Sequence, residues 1–176
     1  LVGATTRLGN ISTPMRDRFG AIFRLDFYQK DEIFKILKRT ASILEMNVQD
    51  DALTEIAGRS RGTPRIANRV LKRVRDFAQV KNVKEISLED ARSSLDSIGI
   101  DENGLENMDR KILKNLIVNY NGGPTGGKSL AISINEDIQT IEDVYEPYLI
   151  KEGFIERTSR GRIATDKAYA LFDLKK

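Results

Sequence analysis

The stretch that most constrains this chain runs from Arg59 to Ala78, RSRGTPRIANRVLKRVRDFA, where apolar residues keep helical spacing inside a dense run of basic ones. Ile66, Val70 and Val74, with Leu71 and Phe77, form one stripe to bury, which leaves Arg69, Lys72, Arg73 and Arg75 toward solvent. Thr63 is placed to cap the helix through its hydroxyl, and Pro64 then stands where a missing N–H is no loss. Arg65 falls in the first turn, where its guanidinium, the free backbone N–H groups and the positive end of the helix dipole all favour an anion. A solvated basic face explains the same pattern without any ligand, so the rest of the chain decides between the two readings.

Helical patterning continues on both sides. Asp31 to Met46 places Ile33, Ile36, Leu37, Ile43 and Leu44 on one stripe behind Asp31 and Glu32, whose charges suit a helix start. Asp50 or Asp51 opens a short helix through Ala57, and Ser87 opens a last one, with Glu89 and Asp90 in its first turn and Leu88, Ala91 and Leu95 inside. Residues 28–100 therefore read as a four-helix unit. Before them lie two strand-like runs, Leu1 to Thr6 and Ala21 to Phe27, with a loop containing Pro14 between. A lone strand does not stand in water, so residues 1–27 read as the truncated tail end of a larger α/β domain.

A polar, acidic stretch from Gly99 to Asn107 reads as a linker, and a third pattern follows it. Helices are expected from Met108 to Tyr120, near Leu130, and from Glu136 to about Lys151; FIER and RIAT then flank Thr158-Ser159-Arg160-Gly161, the signature of a β-hairpin. Three helices and a hairpin make the winged form of the helix-turn-helix. Arg157, Arg160 and Arg162 crowd a hairpin too small to bury them, and the nearest acids in sequence are Glu152, Glu156 and Asp166. Such arginines suit the backbone phosphates of double-stranded DNA. The helix before them carries Glu136, Asp137, Glu142, Asp143 and Glu146, an acidity that argues against its lying in a major groove.

At 176 residues the chain suits two compact units, or one and a fragment, and a net charge of +3 permits nucleic acid as a partner without requiring it. The absence of Cys and His removes disulfides, thiolate metal sites and the usual neutral-pH acid–base group. No run is long and apolar enough to span a bilayer and the start lacks a signal-peptide pattern, so an intracellular, soluble protein with no membrane partner is expected. Gly122 to Ser129, GGPTGGKS, satisfies the Walker A pattern letter for letter. A phosphate loop, however, joins a buried strand to a helix, whereas the preceding RKILKNLIVNY has helical period and too little chain follows for a βαβ unit. The stretch is expected to be a turn between helices, its glycines serving the bend.

Taken together, GATTR, PMRDRFG, RGTPRIANR, MDRKIL, GGP, EPYLIKEGF and RTSRGR closely resemble, in this order and over essentially the whole chain, the RuvB family of bacterial Holliday-junction branch-migration motors. The resemblance implies a mainly α fold: residues 1–27 as the C-terminal edge of an AAA+ α/β domain, 28–100 as a helical lid, and 101–176 as a winged-helix domain. It implies a homohexameric, ATP-dependent DNA translocase of the bacterial cytoplasm, acting at Holliday junctions in recombination and repair with RuvA and RuvC as partners. ATP and Mg2+ would be held mainly by Walker A and B parts upstream of Leu1, as would the hairpin that meets RuvA, so this chain alone is expected not to hydrolyse ATP. Thr5 or Thr6 matches sensor 1, which orients the attacking water. Arg18 matches the arginine finger offered to the neighbouring subunit, with Arg16 as the weaker candidate. Arg65 matches sensor 2, Tyr28 lies near the nucleotide, and Arg157, Arg160 and Arg162 match the DNA-contacting wing. Met15, Ser159 and Gly127-Lys128-Ser129 depart from the family pattern. A non-enzymatic winged-helix regulator would explain the last third alone, and an origin-recognition or clamp-loading ATPase would share the order of lid and winged helix.

Overall fold

The computed structural model describes residues 2–5 and 8–175. A strand exists only as part of a sheet, and among the described residues neither strand-like run near the start pairs into one. Residues 21–27 instead run without regular structure, leaving Ile22 61%, Phe23 83% and Leu25 92% exposed. A 3-10 turn, Leu8–Asn10, and a single-turn helix α1, Thr13–Arg16, are the regular elements of this part.

Four helices follow: α2 (Lys30–Ile43), α3 (Asp50–Gly58), α4 (Pro64–Val80) and α5 (Leu88–Ser97). They close on one core that includes Ile33, Leu37, Leu53, Ile56, Leu71, Val74 and Leu95. The buried stripe of α2 is Ile33, Leu37 and Ala41, at intervals of four, so Ile43, two positions off it, is 68% exposed rather than inward as expected. Asp50 opens α3 as expected, with Gln49 as the N-cap before it. Ser87 caps α5 in a reciprocal box: its hydroxyl accepts from the Asp90 N–H and the Asp90 carboxylate accepts from the Ser87 N–H. Pro64 opens α4 as expected, but the Thr63 hydroxyl makes no cap; the Thr63 carbonyl accepts from the Ala67 N–H as the helix begins.

The stretch after α5 is no slack linker. One oxygen of Asp101 accepts from the N–H groups of Asn103 (2.9 Å) and Leu105 (2.8 Å), and Leu105 is fully buried in a second core. That core is built from α6 (Asn107–Tyr120), α7 (Gly127–Ile134), α8 (Ile138–Thr140), α9 (Glu146–Lys151), β1 (Ile155–Thr158), β2 (Gly161–Ala164) and α10 (Asp166–Ala170). The single long helix expected from Glu136 is interrupted by a π-helical turn, Ile141–Tyr145, just before Pro147. Proline has no N–H to continue the α ladder, and a wider turn accommodates the break. The hairpin forms in the expected place, with Arg157 opposite Arg162 and Thr158 opposite Gly161. Helix α10 was not anticipated, although Thr165 supplies its cap by accepting from the Ala168 N–H.

GGPTGGKS has no strand before it. It follows α6 and lies along β2: Thr125 and Arg162 exchange backbone hydrogen bonds, and the Ala164 N–H donates to the Gly122 carbonyl. Gly127 has a further use, because a Cβ there would collide with the Arg162 guanidinium. The stretch is the third edge of the wing.

Candidate nucleic-acid interface

In the wing, pairing places two arginines face to face, and the π turn and the first residue of α9 bring Glu142 and Glu146 within their reach. Arg162 is 6% exposed; its Nε donates to Glu146 Oε1, and its Nη2 donates to Glu142 Oε1 (2.6 Å) and Glu146 Oε2 (3.3 Å). Burial works against its charge, but the two carboxylates outweigh that and hold its pKa above the ordinary arginine value. The expectation that the hairpin is too small to bury its arginines fails at Arg162, whose guanidinium is engaged inside the wing. Arg157 is half-exposed and reaches Glu142 Oε1 at 3.4 Å. Arg160, in the two-residue loop, is exposed and has no ion pair among the described residues, while its backbone N–H donates to the Thr158 hydroxyl.

The arginines expected near nucleotide stay on the surface. Arg65 is exposed in the first turn of α4, without an ion pair among the described residues. Arg18, just beyond α1, is exposed and pairs with neither Asp17 nor Asp26. Arg16 instead donates to the Thr13 hydroxyl at 3.1 Å. Tyr28 is 46% exposed, donates its N–H to the Gly62 carbonyl, and borders a cleft shared with Gly58, Lys151 and Glu152. Thr5 is exposed, and Thr6 lies outside the described residues.

Two other arginines of the basic stretch are buried, which pattern reading missed. Arg59 donates to Glu55 (2.7 Å), Asp96 (3.1 Å) and the Ile100 carbonyl. Arg61, held at a positive φ of 57, sends Nε to the Gly104 carbonyl and Nη2 to Asp109, and its guanidinium lies 4.8 Å from the Tyr148 ring centre. Asp109 is fully buried; burial raises its pKa against the opposing pull of Arg61 and the Glu106 N–H. Tyr148 is pushed up to about 12 by burial and by Glu152, so its hydroxyl stays protonated and donates to the Asn103 carbonyl at 2.7 Å. Gly104, at φ +70, lets this junction close, since a Cβ would come within 2.8 Å of the Tyr148 hydroxyl. Acidic partners that lie in a different helical unit, such as Asp109, leave no local signal around Arg61.

A four-helix lid, joined by a buried ion pair to a winged helix with an exposed arginine at its tip, defines a class of lid-plus-winged-helix protein. Residues 28–101 match the RuvB AAA lid domain and residues 102–173 the RuvB C-terminal winged helix domain. The Holliday junction branch migration complex subunit RuvB of Oleidesulfovibrio alaskensis is 54% identical over 174 residues, 99% of this chain and 54% of that protein. Its counterpart from Fusobacterium nucleatum is 50% identical over 172 residues, 98% of this chain and 52% of that protein. Among solved structures, a Thermotoga maritima RuvB mutant matches with a TM-score of 0.94 at 47% identity, covering 99% of this chain and 58% of that one. The Thermotoga maritima RuvB Holliday junction branch migration motor matches at 0.91 and 46%, covering 96% and 56%. The chain belongs to the RuvB family, and it spans about half the length of the curated relatives it matches.

Proposed function

We propose that this chain is the lid and winged-helix part of an ATP-driven motor that branch-migrates Holliday junctions. The observation that carries the reading is the unbroken match, over 98% to 99% of the chain, to proteins named as branch migration complex subunits. The wider protein would be a homohexameric ATPase of the bacterial cytoplasm, working on duplex DNA with RuvA and RuvC; no helix among the described residues is long and apolar enough to cross a membrane.

The residues present fit the rim of an ATP site rather than its cradle. Arg65, exposed at a helix start, would reach the phosphates from the lid, Tyr28 would border the nucleotide, and Thr5 or Thr6 would orient water. ATP with Mg2+ supplies the phosphoryl transfer when bound. Arg18, exposed and without an ion pair among the described residues, would bring a permanent positive charge to the neighbouring subunit's nucleotide, a contribution worth about 10³ to 10⁵ in rate in other NTPases. Arg61 ties the loop before α4 to Gly104 and Asp109, so a shift of the lid helix that carries Arg65 would be passed to the winged unit. Arg160 and Arg157 would then meet backbone phosphates without reading sequence.

The test uses the full-length ring. Arg18→Ala should abolish hydrolysis while each subunit still binds nucleotide, and mixing it with subunits unable to bind ATP should restore part of the activity. Mixed rings that stay inactive would place Arg18 outside the trans role.

A further inference from the structure

Arg157 and Arg162 stand directly opposite each other across the hairpin, and like charges so placed repel unless anions lie between them. Glu142 and Glu146 are those anions, and the four charges cancel. The two glutamates are not equivalent. Glu146 is 1% exposed and takes two hydrogen bonds from Arg162, which makes it the buried anchor. The Glu142 side chain is 28% exposed, and one of its oxygens serves both Arg162 at 2.6 Å and Arg157 at 3.4 Å. Its hold on Arg157 is long, and the Arg157 side chain is itself 55% exposed. A carboxylate and a phosphodiester offer a guanidinium the same kind of acceptor, so an arriving phosphate meets an arginine already engaged by its chemical equivalent.

We propose that Glu142 is an internal competitor of DNA phosphate for Arg157. It engages Arg157 in the free wing, yields it when a duplex arrives, and so lowers the affinity of the wing and flattens its salt dependence. Displacement leaves Arg162 anchored on Glu146, so the hairpin keeps its shape while Arg157 changes partner. A motor that must let go of phosphates as it moves is served by contacts weakened in this way. The inference rests on the reading of the wing as a phosphate-binding surface.

The experiment measures anisotropy of a labelled duplex of arbitrary sequence, at several salt concentrations, with this chain and its variants. Glu142→Gln should bind several-fold more tightly than the parent, and its slope of log affinity against log salt should steepen toward the full value of about 0.9 per phosphate contact, because no freed carboxylate is left to take back a cation when Arg157 changes partner. Glu142→Ala should behave alike, with a circular dichroism melt of each variant confirming the fold. In Glu142→Gln/Arg157→Ala the gain should vanish. Parental affinity and slope in both Glu142 variants, or a gain that survives loss of Arg157, overturns the proposal. Arg160→Ala separates the two readings: weaker binding there with no change in the Glu142 variants rejects the competitor alone. Absence of duplex binding in parent and variants alike rejects the phosphate-binding wing together with it.

Discussion

The segment from Arg59 to Arg65 and the hairpin from Arg157 to Arg162 each carry three arginines within a few residues, and the two clusters are wired differently. In the first, Arg61 crosses from the lid to Asp109 of the winged unit, joining two separate cores. In the second, Arg162 finds Glu142 and Glu146 inside its own unit and stiffens one core only. Each cluster still leaves one arginine without an ionic partner among the described residues, Arg65 at a helix start and Arg160 in a hairpin loop. A local excess of arginine therefore does not measure how much positive charge a surface offers. The acids that other elements bring within reach decide it.

The largest effects should come from the crossing pair. Asp109→Ala takes the close carboxylate from the buried Arg61 guanidinium, leaving it only Glu106 at 3.7 Å and the Gly104 carbonyl; breaking such a buried pair typically costs about 3–5 kcal/mol, and it weakens the tie between cores. Chemical denaturation followed separately in lid and winged unit should then show two transitions where the parent shows one. A single shared transition in the variant would mean that the junction is held by other contacts. Arg162→Ala should cost a similar amount by leaving buried Glu146 only the longer contact with Arg157 at 3.8 Å, but hydrogen exchange should show the loss confined to the winged unit, with the lid protected as before.

A smaller effect concerns acid. Burial opposes ionisation of Glu55, but the hydrogen bonds and charges of Arg59 and Arg92 outweigh it and hold its pKa below the ordinary carboxylate range. A depressed folded pKa gives stability that is present above the unfolded pKa and lost as pH falls through the folded one. Glu55→Gln should thus flatten the acid limb of the stability curve of the lid in melts below about pH 4.5, and an unchanged limb would assign that sensitivity to other carboxylates. The smallest effect is expected at Lys128, exposed near the start of α7. Lys128→Ala should leave the weak, nonspecific interaction of this chain with labelled ATP unaltered, whereas micromolar binding lost with Lys128 would revive the phosphate-loop reading of GGPTGGKS.

What could be read in advance was local. The lid helices follow from apolar spacing at Ile33 and Leu37 or Val70 and Val74, and from the Ser87–Asp90 box, whose members lie three residues apart. The hairpin follows from the turn residues around Ser159. The Thr63 hydroxyl misled because the basic loop before it is drawn toward Gly104 and Asp109, and Gly127 looked like part of a bend when it makes room for Arg162. The burial of Arg162 left no local signal, because its carboxylates lie 16 and 20 residues upstream, on a helix whose π turn could not be inferred from periodicity. The exposed Ile22, Phe23 and Leu25 show the same limit from the other side, since a strand-like run takes its structure from neighbours.

Duplex affinity across salt, paired with a thermal melt, for Arg160→Ala and Arg162→Ala separates arginines that bind from arginines that build. Arg160→Ala should melt within about 0.5 kcal/mol of the parent while its salt slope becomes shallower by about 0.9. Arg162→Ala should lose stability first, and under conditions where it remains folded its salt slope should not become shallower than that of the parent. A shallower slope in folded Arg162→Ala, together with an unaltered slope in Arg160→Ala, would contradict the division of labour that the structure assigns to the wing.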